Sequence, residues 1–245
     1  MIRIASYNIR KAVGLDWRRD PMRVAQVIAG LRAHIVALQE ADKRLQPRPT
    51  ALTPEAIRAT GMVPIDLGPG PSLGWHGNAI LLDPAWRCIG YERLTLPGLE
   101  PRGAVLAEID TPAGHLTLCA AHLGLTRGAR VAQLHAIKEA IGLDRLSQSV
   151  ILGDFNEWHP TRPLHGPEHD VKAISPGRSF HAKYELAPLD RILVGGNWSL
   201  LDTGVMREPP AQRASDHLPI WCEIAPNTAR AEGSKKDRDF HDPPA

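Results

Sequence analysis

The run Ser149-Val150-Ile151-Leu152 is almost wholly apolar and stops abruptly at Gly153, Asp154 and, after Phe155, Asn156. Such a run predicts a buried strand. Gly153 lets the backbone turn or lie close to a ligand, and Asp154 and Asn156, two apart in an extended segment, are expected on the same side. Hard oxygen donors at a strand end suit a Mg²⁺-dependent phosphate site. A strand followed by an Asx-type turn is the plainer reading of the same residues.

Other segments repeat the pattern. Ile2-Arg3-Ile4-Ala5-Ser6-Tyr7 predicts a strand that delivers Asn8, a carboxamide, and Arg10, a bidentate phosphate donor. Ile35-Val36-Ala37-Leu38-Gln39 ends in Glu40, and Leu116-Thr117-Leu118-Cys119-Ala120-Ala121 ends in His122. The latter pairs as an antiparallel hairpin with 104–109 through the turn Thr111-Pro112-Ala113-Gly114. Asn78 opens a strand over 78–82, Arg102 precedes the hairpin, and Asp190 leads a strand over 189–194. Ser215-Asp216-His217 precedes a final strand through 221–224, and in extended chain Asp216 and His217 face opposite ways.

Between the strands, Val24, Val27, Ile28 and Leu31 recur at helical spacing after Asp20-Pro21, predicting a helix over 21–32. Thr53-Pro54-Glu55 opens a short helix closed by Gly61. A third helix over 127–143 carries the stripe Val131, Leu134, Ile137 and Ile141 toward a sheet, with Arg127 and Arg130 on other faces. The stretch 157–187 reads as a loop bordering the site; its His159, His165, His169 and His181 match no compact ligand spacing.

Composition bounds the setting. With 245 residues, 43% of them hydrophobic, one large α/β domain over 1–225 is expected, followed by a disordered tail over 226–245. Cys88, Cys119 and Cys222 are widely spaced, suggesting neither zinc knuckle nor disulfide framework. Met1 leads straight into the first strand and no apolar run approaches ~18 residues. A cytoplasmic, soluble protein is expected, with a monomer favoured. The net charge of +2 gives no general attraction for nucleic acid or acidic membranes.

Polar groups at strand ends gather at one rim in a four-layer α/β sandwich, in which two packed, mainly antiparallel sheets carry helices outside. The segments Tyr7-Asn8-Ile9-Arg10, Ala37-Leu38-Gln39-Glu40, Gly77-Asn78-Ala79, Ala121-His122-Leu123, Gly153-Asp154-Phe155-Asn156, Leu189-Asp190-Arg191-Ile192 and Ser215-Asp216-His217 occur in the order of the endonuclease/exonuclease/phosphatase family, the DNase I-like metal-dependent phosphohydrolases. Over about residues 1 to 225 the chain resembles that family.

The resemblance implies that Glu40 is the main Mg²⁺ ligand, with Asn8 and Asp216 near the metal and Mn²⁺ as the substitute ion. It implies that Asp154 and Asn156 position the nucleophile and hold phosphate oxygens, and that His217 is the catalytic histidine oriented by Asp190. His122 resembles the second histidine that protonates the leaving oxygen or binds phosphate, and Arg10, Asn78 and Arg102 resemble phosphate donors. The base that activates water is then either His217 or Asp154. Arg10 stands where apurinic endonucleases carry an acid, which argues against an abasic-site endonuclease. The implied reaction is in-line attack of water on a phosphodiester. A non-catalytic phosphate-binding module is the alternative, disfavoured because every acid, amide and histidine position is filled.

The implied substrate is nucleic acid, with a phospholipid headgroup, as in sphingomyelinase-like members, as the alternative. Residues 1–225 carry 25 basic and 23 acidic residues, a weak footprint for duplex DNA. For a membrane-acting enzyme the candidate apolar loop tips are Trp75 and Trp158.

Overall fold

The computed structural model describes residues 1–43, 47–159 and 171–228. In chain order the elements are β1 (Ile2–Asn8), a 3-10 turn at Arg10–Ala12, α1 (Pro21–Gly30), β2 (Ile35–Gln39), α2 (Pro54–Ala59), β3 (Val63–Pro64), β4 (Ala79–Leu82), β5 (Arg87–Thr95), β6 (Gly103–Thr111) and β7 (Gly114–His122). Then follow α3 (Arg127–Ile141), α4 (Leu143–Leu146), β8 (Ser149–Asp154), β9 (Val171–Ile174), β10 (Asp190–Gly195), β11 (Trp198–Val205), α5 (Ala211–Ala214) and β12 (Ile220–Pro226). His165, His169 and the tail from residue 229 onward lie outside the described residues.

The strands form two six-stranded sheets, ordered β11-β12-β1-β2-β4-β3 and β5-β6-β7-β8-β10-β9. Within each, one central pair is parallel, β1 with β2 and β7 with β8, and the remaining pairs are antiparallel. Parallel neighbours need a crossover. Helices α1 and α3 supply it, each capped by a side chain that accepts from a backbone N–H, Asp20 from Arg23 and Thr126 from Ala129.

Side-chain alternation divides the second sheet cleanly between two cores. Val105, Ala107, Leu118, Ala120, Val150, Leu152 and Ile192 join the core shared with β1, β2 and α1, whereas Leu106, Cys119, Ala121, Ile151 and Leu193 pack under Leu134, Ile137 and Ile141 of α3. Both faces are therefore buried, which is why β8 reads as an unbroken apolar run.

Helix α3 departs from its expected faces. Val131 is exposed, and Arg130, expected on an outer face, is buried, with Nη2 2.9 Å from Glu157 Oε2 and Nη1 donating to the Leu125 carbonyl at 2.6 Å. The segment 157–187, read as loop, contributes β9 to the sheet edge.

Gly153 serves close approach, though to backbone rather than ligand. It pairs with Ala121 of β7 at φ +150°, and an added Cβ would fall on the Ala121 carbonyl. Gly153→Ala is expected to lose about 3 kcal/mol or more, because neither backbone can give way inside a sheet covered on both faces. Urea denaturation checks it: a midpoint matching wild type would show that β7 and β8 tolerate a wider spacing.

Candidate active site

Strand polarity gathers the site. The C-terminal ends of β1, β2, β7 and β8 point the same way, and β10 and β12, antiparallel to β8 and β1, begin at that rim. In register, Asp154 is flanked by His122 on β7 and Asp190 on β10.

Asp154 is the hub. Its Oδ2 accepts from Asn8 Nδ2 at 2.9 Å and lies 3.4 Å from His122 Nε2 and 3.6 Å from His217 Nε2. His217 Nδ1 meets Asp190 Oδ2 at 2.9 Å, and Ser179 Oγ donates to that same oxygen. With Asp190 as acceptor the proton sits on Nδ1, and Nε2 is turned to Asp154. Segment 179–182 docks on 216–218 through Leu218 N–H to Ser179 O and Ala182 N–H to Asp216 O, both at 2.7 Å. That docking lays the Phe180 ring 5.0 Å from His217.

Burial works against charge on His217, but Asp190 and Asp154 outweigh it and raise its pKa to about 10. Burial likewise opposes ionisation of Asp154, yet His217 and His122 hold it below the usual carboxylate range. For His122 burial wins, lowering its pKa despite Asp154. Because the folded pKa of His217 lies above its ordinary 6.5, its charge stabilises the fold fully below pH 6.5 and progressively less up to about 10. Guanidinium denaturation in EDTA is expected to show stability falling across that window. A His217→Gln variant should flatten the slope, and an unchanged slope would assign it to another group.

Glu40 stands beyond β2 with φ +52°, and Arg10, Lys11 and Ala12 beyond β1 have φ +47°, +58° and +58°. Left-handed backbone in residues with side chains is strained and clusters at functional sites. Here it is held by Lys11 N–H to Glu40 O and Ile9 N–H to Gln39 O, each 3.0 Å, and it brings the Lys11 ammonium onto the Glu40 carboxylate. Burial raises the Glu40 pKa, but Lys11 more than offsets it and the net direction is downward. Arg10 Nε lies 3.3 Å from Asp216 Oδ2. Lys11 and Ser179 carry no signal in the sequence; the backbone turn and the docked segment alone bring them here.

Three expected residues sit differently. Asn156, at φ +50°, breaks strand alternation: its N–H donates to Asp154 Oδ1 at 3.0 Å and its Nδ2 to Leu123 O at 2.9 Å, so the Asx turn is what forms. The extended chain that the same-side expectation for Asp154 and Asn156 assumed is therefore interrupted at Asn156. Asn78 is fully buried and spends Nδ2 on the carbonyls of Trp75 and Gly103, leaving it no donor for phosphate in this arrangement. Arg102 is paired with Glu100 at 2.9 Å, close enough to bear on His122.

The chain's own cations test whether a metal fits. Glu40 and Asp216 each hold one, so both carboxylates already sit where positive charge is accommodated, and with the Asn8 carboxamide they offer hard oxygens of the kind a divalent cation takes. Asp154, Asp190 and His217 also bring ligand-type atoms within 4.8 Å of one another. His217 spends Nδ1 on Asp190, however, so that trio is held as a hydrogen-bonded chain, with Asp190 Oδ1 buried and unpartnered beside it.

Two facing six-stranded sheets with acids, amides and two imidazoles at one rim define a DNase I-like phosphoester hydrolase. The model of the Endonuclease/Exonuclease/phosphatase family matches residues 5–217, and the chain belongs to that family, whose members depend on divalent metal. Similar solved structures include an endonuclease/exonuclease/phosphatase from Beutenbergia cavernae DSM 12333, at 19% identity and TM-score 0.69 over 92% of this chain and 72% of that one. A truncated Caenorhabditis elegans TDP2 aligns at 17% identity and TM-score 0.71, covering 91% of this chain and 97% of its own. D. rerio TDP2 complexed with single-strand DNA product aligns at 17% identity and TM-score 0.66, covering 91% and 98%. Identities this low establish the shared fold. No curated protein sequence matches the chain.

Proposed function

We propose that the chain is a Mg²⁺-dependent phosphodiesterase, with Mn²⁺ as the substitute ion, acting on nucleic acid as a cytoplasmic monomer. The observation that carries it is the convergence of His122, His217 and Asn8 on one Asp154 oxygen, with His217 held from its other side by Asp190. Glu40, Asp216 and Asn8 would hold the ion, which when bound neutralises charge developing on the phosphoryl group. Asp154 Oδ2, within 3.6 Å of the Nε2 atoms of both imidazoles, orients the attacking water and takes up its proton. Asp190 holds His217 so that Nε2 faces the phosphoryl oxygens, and His122, kept neutral by burial, is placed to hydrogen-bond the phosphate through its ring.

A diester is read over a monoester because Arg102 is engaged by Glu100 and the donors nearest Asp154 are the two imidazoles, a better match to a singly charged phosphate than to a dianion. Among the described residues no helix is long and apolar enough to cross a membrane. Of the expected apolar tips, Trp75 donates its indole N–H to Leu94 O and packs against the core, while Trp158 is exposed. Nicking of plasmid, cleavage of single-stranded oligonucleotide and hydrolysis of lysophosphatidylcholine, measured side by side in Mg²⁺, test the reading. Phosphocholine release without nucleic-acid cleavage would overturn the substrate, and activity on monoesters alone would overturn the diester.

A further inference from the structure

Beside the rim lies a groove of about 700 Å³ that the hydrolytic chemistry does not use. Trp17 and Tyr184 line it and are 77% and 60% exposed, large apolar surfaces outside the buried core. Each ring has a cation over it: the Arg10 guanidinium 4.5 Å from Trp17, and the Lys183 ammonium 5.1 Å from Tyr184. The two acids of the lining are already neutralised from outside, Asp16 by Arg23 and Glu185 by Arg207. Lys183 and Arg213 remain, with no carboxylate partner among the described residues.

The groove is continuous with the reacting centre. Arg10 forms its wall and also pairs with Asp216, and His181 lines it while packing 5.6 Å from Phe180, which in turn contacts His217. Aromatic faces alternating with cations along a concave wall are how single-stranded nucleic acid is gripped, bases stacking while the backbone meets positive charge. A membrane anchor would instead place its rings on a projecting apolar tip, without cations laid over them.

We propose that this groove seats an unpaired nucleotide adjoining the scissile phosphodiester, its base stacked on Trp17 and Tyr184 and its outer phosphate met by Lys183 and Arg213. The enzyme then prefers single strands to duplex. This rests on reading the neighbouring site as a nucleic-acid phosphodiesterase.

Anisotropy of a short fluorescein-labelled oligo(dT), measured in EDTA with the full chain, tests it. Oligo(dT) should bind wild type tighter than a blunt duplex of equal length. Trp17→Ala and Tyr184→Ala, both at exposed positions that the fold does not need, should each weaken binding about 10-fold, with Trp17→Phe recovering most of the loss. Unchanged affinity in both alanine variants, duplex bound as tightly as oligo(dT), or Trp17-dependent binding to phosphatidylcholine–phosphatidylserine vesicles without oligo(dT) binding would each overturn it. Wild-type hydrolysis of bis(p-nitrophenyl) phosphate is scored separately: its absence alongside Trp17-dependent oligo(dT) binding would sink the hydrolytic reading and leave the groove standing.

Discussion

Asp190→Asn is expected to lower turnover about 10³- to 10⁴-fold, the scale at which a misoriented catalytic imidazole fails. The carboxamide keeps the volume of the side chain. If its nitrogen takes the place of Oδ2, it presents a donor to both His217 Nδ1 and Ser179 Oγ, which share that oxygen; if its oxygen does, both hydrogen bonds survive but the carboxylate charge is gone. Either way His217 loses the charge that holds its imidazolium, so the alkaline limb of the pH–rate profile should move to lower pH. A purely structural role would leave that limb in place. Removing one partner of a buried pair also costs about 3 kcal/mol, so rates must be compared where circular dichroism shows the variant folded. Ser179→Ala, which leaves the carboxylate intact, should cost far less. Wild-type rate and pH profile in Asp190→Asn would remove the pair from the reaction.

Glu40→Gln is expected to abolish most Mg²⁺-supported activity, at least about 10²-fold, with little change in stability. Its side chain is 27% exposed, and the Lys11 pair it breaks is of the partly solvated kind that contributes about 1 kcal/mol or less. The metal reading gives a second observable. Mn²⁺ binding followed by electron paramagnetic resonance should be lost with the activity, because a carboxamide is a neutral and weaker ligand for a hard cation. Undiminished Mg²⁺-dependent turnover in this variant would take Glu40 out of the site.

Much of the fold was legible in the sequence where burial acts on both sides of a strand. β1, β2, β7 and β8 read as apolar runs because each is covered on two faces, and their polar termini announced the rim. Strands β5, β9 and β11 were not legible. Each lies at a sheet edge, where exposed positions carry residues such as Arg87, Glu92, Lys172 and Asp202 that erase the apolar signal. Arg130 was misplaced because helical spacing assigns a face but cannot foresee a buried acid, here Glu157 from beyond β8, waiting to pair with it.

The site was legible unevenly for related reasons. Asn8, Glu40, His122 and Asp154 follow from strand ends alone, whereas joining Asp190 to His217 took the family resemblance, since no local pattern links residues on β10 and before β12. At Asn156 left-handed backbone interrupts the two-residue period on which the alternation argument relied. Trp17 and Tyr184, far apart in sequence and unremarked by any periodicity, become meaningful only where the fold sets them on one groove.

The most direct measurement is p-nitrophenol release from bis(p-nitrophenyl) phosphate by the wild-type protein, followed in Mg²⁺, after EDTA, and after Mg²⁺ is restored, with p-nitrophenyl phosphate in parallel. Expected are turnover of the diester that EDTA abolishes and Mg²⁺ restores, and a much slower monoester reaction. Diester turnover that survives EDTA, or none in Mg²⁺ or Mn²⁺ from folded protein, would contradict the assignment of this rim as a metal-dependent phosphodiesterase.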